Sequence, residues 1–187
     1  MDGFNPPETD MKAFKTLTFS TLLALAASPA LADKSAGEKV DDSLIQGNVK
    51  TKIMAEDFGE GAGVNLETRK GVVQLGGFID DAETGKKLAE VAAAVDGVKS
   101  VDNQLHAKRG ERSAGRAIDD GVATTRVKSA IASADFGDGV AINVDTYNGV
   151  VLLTGFANTK ESKQWAGDLA AADKNVDDVI NGISVMD

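Results

Sequence analysis

The sequence predicts an α+β protein of two tandem αββαβ domains, each a three-stranded mixed sheet with two helices on one face. Three observations lead there: a long ungapped internal repeat, a β-hairpin signature inside each copy, and a capped amphipathic helix after each hairpin. The hairpin stretch Asn143 to Phe156 matches Asn65 to Phe78 at a constant shift of 78 positions, and the same shift pairs Phe58 with Phe136, Val98 with Val176 and Asn103 with Asn181.

Each unit opens with a helix. From Asp42 to Met54 the apolar residues Ile45, Val49 and Ile53 recur at every fourth position, as Ala123, Val127 and Ile131 do in the second copy, which marks one buried face. Asp33 to Val40 reads as a polar lead. Phe58-Gly59 and Phe136-Gly137 are expected to end these helices, with glycine as the left-handed stop. In the hairpins, Asn148-Gly149 and Lys70-Gly71 supply the positive φ angles of a tight turn between twisted strands. Val64, Leu66, Val73 and Leu75 alternate onto one side, as do Ile142, Val144, Val151 and Leu153, while Asn65, Glu67 and Gln74 point the other way. Gly77 and Gly155 continue the inward row, where a missing side chain lets another backbone or a helix come close.

Asp80 with Glu83, and Asn158 with Glu161, have capping-box spacing ahead of the second helix. That helix buries Leu88, Val91, Ala92 and Val95 in the first copy and Ala166, Leu169 and Ala170 in the second. A last strand follows from Val98 to Leu105 and from Val176 to Ile183, so strand two, helix and strand three form a crossover. The remaining sheet face, with Val72, Val150, Leu152, Phe78 and Phe156, is left for the other domain, a partner or water.

The domains so read are 41–107 and 119–187, joined by a basic linker at 108–118. Residues 1–32 read as an N-terminal extension and signal peptide: Lys12 and Lys15 precede an apolar run from Leu17 to Ala27, and Ala30-Leu31-Ala32 suits cleavage before Asp33. That run is too short to span a bilayer. Because the first ten residues are acidic, Met11 is an alternative start. These readings place the protein in the periplasm, secreted and without a transmembrane span.

The chain carries 20 bases, 29 acids and no cysteine. Absence of cysteine removes disulfides, thiol catalysis and thiolate metal sites. The acidic balance argues against nucleic-acid binding, which needs a basic face. Residues 41–107 hold seven bases against twelve acids and residues 119–187 five against eleven, so Lys108-Arg109-Gly110-Glu111-Arg112-Ser113-Ala114-Gly115-Arg116 is the positive segment. It reads either as a solvated linker or as a contact for anionic headgroups. Trp165, in the place of Lys87, sits beside the core face and is a second contact candidate, unless it packs with Leu169. The membrane or partner candidates are therefore Lys108, Arg109, Arg112, Arg116 and Trp165, and the structural glycines are Gly71, Gly77, Gly149 and Gly155.

No catalytic, metal or cofactor site is legible. The single histidine, His106, matches Ser184 in the other copy and reads as a surface residue. Gly59-Glu60-Gly61-Ala62-Gly63 follows a helix and precedes a strand, the reverse of a phosphate cradle. Asp135-Phe136-Gly137-Asp138-Gly139 lacks calcium-loop spacing, and the Asp-Asp pairs at 41–42, 80–81, 119–120 and 177–178 read as caps and solvated ends.

The Gly-Val-Val-x-Leu-x-Gly-Phe strand (Gly71 to Phe78, Gly149 to Phe156) and the later Val-x-x-Val/Ile-x-Asn strand (Val98 to Asn103, Val176 to Asn181) resemble BON domains over about residues 41–185. The resemblance implies a non-enzymatic envelope protein of osmotic stress, without cofactor, that attaches to phospholipid membrane surfaces. Its alternatives are a chaperone-like binder of unfolded envelope or secreted proteins and a structural protein-protein adaptor.

Overall fold

The computed structural model describes residues 34–56 and 63–186, with side chains from 41 onward. The signal-peptide reading, Phe58-Gly59 and most of the first glycine-rich loop lie outside the described residues. The first repeat runs α1 (Lys34–Ala55), β1 (Asn65–Arg69), β2 (Val72–Ile79), α2 (Ala82–Ala93) and β3 (Ser100–Ala107). The second runs α3 (Ala114–Ser133), β4 (Ala141–Tyr147), β5 (Val150–Ala157), α4 (Lys160–Ala171), β6 (Asp178–Asn181) and β7 (Ser184–Val185). In each, the middle strand pairs antiparallel with its hairpin mate and parallel with the strand after the helix.

The hairpins close through Lys70-Gly71 and Asn148-Gly149, all four residues at positive φ. That conformation matches the twist of the flanking strands, and it costs least at Asn and Gly. Val73 and Leu75 pack with Ile45, Val49 and Leu88 into one core, and Val151 and Leu153 pack with Val127, Ile131 and Ala166 into the other. Asn103 and Asn181 tie the last strand to the helix behind it: each side-chain amide donates to a helix carbonyl, Gly85 O at 3.1 Å and Lys163 O at 2.7 Å.

Several expectations shift. Helix α1 already begins at Lys34, so the polar lead is helical, and α3 begins at Ala114, leaving 108–113 as the connection. Ser113 starts α3 because its hydroxyl accepts from Arg116 N. The helix caps fall one residue later than the spacing suggested, on Asp81 and Thr159, which accept from Thr84 N and Ser162 N. The Thr84 backbone amide, then its hydroxyl, hold the Asp81 carboxyl below its ordinary range. Asp80 is free instead to meet Lys108. At Gly77 and Gly155 it is backbone that comes close, Gly63 O and Ala141 O, and both glycines have positive φ. The last strand of the second repeat is split into β6 and β7, both paired with β5. Between them Gly182 N bonds Leu153 O, and Gln104 of the first repeat occupies the space a Gly182 side chain would need.

The helix-free faces of the two sheets pack against each other, and the contacts are reciprocal. Asn65 donates to Asp145, and Asn143, 78 positions after Asn65, donates to Glu67, 78 before Asp145. Gly76 faces its own equivalent, Thr154: a Cβ on Gly76 would lie 2.5 Å from the Thr154 hydroxyl. The repeats are therefore related by an internal two-fold axis passing near these two residues. Leu152 and Phe156, whose partner the sequence left open, are buried in this seam. Gln74 breaks the symmetry at its centre. It is 1% exposed, its carbonyl accepts from Gly155 N, and its amide group is shared among Asp102, Gly182 O and Ser184.

Two outcomes follow from the seam. Gly76→Ala should destabilise the chain by about 1–3 kcal/mol in urea unfolding, because the added methyl meets the Thr154 side chain in a packed interior. Adding Thr154→Gly, which removes the side chain that the new methyl meets, should recover part of that loss, so that the pair costs less than the sum of the two single changes. Burial pushes the Asp145 carboxyl up, against the opposing pull of Lys128 and the Asn65 hydrogen bond. A folded-state value above the unfolded one means the native state holds its proton longer, so this group's contribution to stability falls as pH rises through that window. Asp145→Asn should raise the urea midpoint at pH 7, with the difference narrowing toward pH 4.

Candidate functional site

The connection 108–113 and the start of α3 carry most of the candidate residues, and Asp120 organises them. It lies in the second turn of α3, is 2% exposed, and accepts from both amides of the hairpin turn: Gly149 N at 2.8 Å and Asn148 N at 2.9 Å. Arg112 and Arg116 stand 3.5 and 3.6 Å from its carboxylate, so a buried charge is both paired and hydrogen-bonded. Arg116 continues to Asp177. Asp42 does the same for the first hairpin, accepting from Lys70 N at 2.7 Å and Gly71 N at 2.8 Å. The reading of Asp42 and Asp120 as caps or solvated ends is thus corrected: each clamps a turn from a neighbouring helix.

The connection is fastened to the same turn. The Tyr147 hydroxyl donates to Gly110 O at 3.0 Å, and the Asn148 amide group donates to Arg109 O and Glu111 O at 3.0 and 3.2 Å. The Arg112 guanidinium lies 5.1 Å from the centre of the Tyr147 ring, a cation–π arrangement. Lys108 pairs with Asp80 at 2.7 Å. Of the four linker bases, Arg109 is exposed and forms no ion pair among the described residues. The cations therefore do not make a continuous free patch.

Trp165 is 41% exposed. Its ring lies 4.7 Å from that of Phe136, tilted by 49°, so it packs on the loop after α3. A feature the sequence reading passed over is the outer ridge of α3, where Ile118 and Val122 are 69% and 37% exposed one turn apart. Their four-residue spacing is present in the sequence, displaced from the buried row Ala123, Val127 and Ile131, but a linker read as 108–118 takes in Ile118 and hides it. Leu44, the equivalent of Val122, is exposed on α1.

Among the described residues no group of three or more His, Asp or Glu is placed to hold a metal ion, and no helix is long and apolar enough to cross a membrane. The BON domain model matches residues 41–109 and 119–187, one match on each structural repeat. The chain belongs to the BON domain family. Among curated relatives of this BON-domain chain, osmotically-inducible protein Y of Escherichia coli K12 is 28% identical over 195 residues, covering 94% of this chain and 97% of that one. Among solved structures, two of CdsD, a structural protein of the type III secretion system of Chlamydia trachomatis, align at 13% and 14% identity. They cover 77% and 78% of this chain and 92% and 67% of theirs, with TM-scores of 0.32 and 0.31.

The clamp makes a graded prediction for chemical denaturation. Asp120→Ala should cost about 2–4 kcal/mol, since it frees two turn amides, leaves Arg112 without its carboxylate and leaves Arg116 with Asp177 alone. Asp42→Ala, which removes only the amide bonds at a less buried position, should cost about 1 kcal/mol.

Proposed function

We propose that this protein is a non-enzymatic envelope protein of osmotic stress that works in the periplasm by binding phospholipid membrane surfaces. The observation that carries the reading is the Ile118–Val122 ridge, two exposed apolar side chains one turn apart on α3. It directly follows Lys108 to Arg116, the positively charged stretch between the two domains. A helix that presents apolar side chains beside cations lies well in the plane of a membrane interface, apolar face down and charges at the headgroups. In an acidic chain such contact must be local, through Arg109, which forms no ion pair among the described residues, and it must weaken with salt. Trp165, half-exposed, supplies an amphipathic ring of the kind that settles at headgroup depth. The name of the E. coli relative, an osmotically inducible protein, supports the osmotic-stress part of the assignment.

The chaperone-like and adaptor alternatives have less to draw on. A client-binding surface built from the apolar sheet faces is spent, because those faces bury each other.

Flotation with liposomes of graded anionic content tests the reading. The chain should float with anionic vesicles at low salt and less at high salt. Ile118→Ser with Val122→Ser should weaken attachment by about tenfold, the scale of two partly buried aliphatic side chains, while leaving the thermal midpoint within a few degrees. Trp165→Ala should have a smaller effect. Absence of flotation under every condition would reject membrane attachment and favour client-protein binding.

A further inference from the structure

At one edge of the seam the two repeats enclose a cleft of about 340 Å³, lined by residues of both and of the connection between them. Phe78, Val150 and Ile180 give it apolar walls, and Tyr147 completes them with its ring centre 5.8 Å from that of Phe78. Exposed Arg109 and Asp178 stand at the rim, with half-buried His106 beside them.

The internal two-fold supplies a comparison within the same molecule. The related groove, about 450 Å³, has Arg69 in place of Tyr147 and Lys70 in place of Asn148. Arg69 reaches across to Asn158 and Gly139 O, and Asp42 and Glu67 line the same groove, so its walls are charged and their charges are engaged internally. Phe156, the counterpart of Phe78, is 2% exposed there. One groove has thus become a polar junction, and its twin keeps an apolar interior.

The apolar cleft is also preorganised. Tyr147 is held by its hydroxyl on Gly110 O and by Arg112 over its ring, and Asn148 fixes the backbone of Arg109 and Glu111. The Arg109 carbonyl is therefore anchored while its guanidinium is left without an ion pair among the described residues. An unengaged cation at the mouth of a fixed apolar cavity, in a chain with 29 acids against 20 bases, selects for a complementary negative head. Asp178, which also lines the cleft, disfavours heads of more than one negative charge.

We propose that this cleft binds a single amphiphile, with an apolar chain lying against Phe78, Tyr147, Val150 and Ile180 and a monoanionic head on Arg109. The site shares Arg109 with the membrane contact proposed above but includes neither Ile118 nor Val122 of the α3 ridge, so occupancy of the cleft does not require a membrane. The volume suits a chain of about ten carbons, at the lower end of small-ligand cavities.

The full chain, isotope-labelled, is titrated below the micelle concentration with decanoate, with decyltrimethylammonium and, separately, with phosphatidylglycerol vesicles. Decanoate should saturate one site, with amide shifts centred on Ala107, Asn148, Val150 and Ile180. The cationic analogue should bind at least about tenfold more weakly, and Arg109→Glu should weaken decanoate by a similar factor, the scale of one charge-assisted contact. Ile180→Asp should abolish it. Arg109→Glu lies on an exposed side chain and leaves the packing intact, so it stays informative if Ile180→Asp fails to fold. Equal binding of both decyl compounds, decanoate binding unchanged in Arg109→Glu, or shifts that appear with vesicles and not with decanoate would overturn the proposal. The ridge variant Ile118→Ser with Val122→Ser should bind decanoate normally, which separates this site from vesicle attachment.

Discussion

The packing of two sheets face to face is the constraint on which the rest of the molecule depends. Each repeat is small, and its helices cover only one side of its sheet, so alone it would leave a broad apolar face in water. Pairing the repeats buries Leu152 and Phe156 and turns two thin α/β layers into one four-layer body. A purely apolar seam would tolerate sliding. Gln74 fixes the alignment, since its amide finds partners only where Gly155, Gly182, Ser184 and Asp102 are all in place.

The connection between the repeats is structural rather than a flexible tether. Its backbone accepts from Tyr147 and Asn148, and its Arg112, with Arg116 of α3, neutralises the carboxylate that holds the second hairpin turn. Charges that look like a free basic patch in the sequence are largely committed inside the fold. What reaches outward is narrower: one guanidinium, an aliphatic ridge on α3 and half of an indole.

Local chemistry made much of this legible from the sequence. The Asn148-Gly149 turn, the alternating rows of Val73 with Leu75 and Val151 with Leu153, and the four-residue spacing of Ile45 and Val49 each depend on residues close in the chain. The position of Gly76 was not legible, because its reason is Thr154, on the far side of an axis that no local pattern encodes. Asp120 was missed for a related reason. A carboxylate in a helix ordinarily reads as solvated, and only the recurrence of Asp42 at the same shift, with Arg116 one turn earlier, hints at a buried role. The caps fell one residue away from the expected sites because Asp80 and Asn158 bond to Lys108 and Arg69 instead. Neither partner could be chosen from spacing.

The two-fold axis also says what a duplicated chain can do that a pair of identical subunits cannot. In a homodimer, position 74 would appear on both sides of the axis as the same residue. Two glutamines would then compete for one set of partners, or two leucines would leave Gly155 N unanswered. Carried on one polypeptide, the two positions are inherited separately, and one became Gln74 while the other is Leu152. The same freedom let one groove take on the charged walls of Arg69, Asp42 and Glu67 while its twin kept an apolar lining around Tyr147. Fusion of the copies thus released each half from mirroring the other, and the departures from symmetry mark where the halves took on different work.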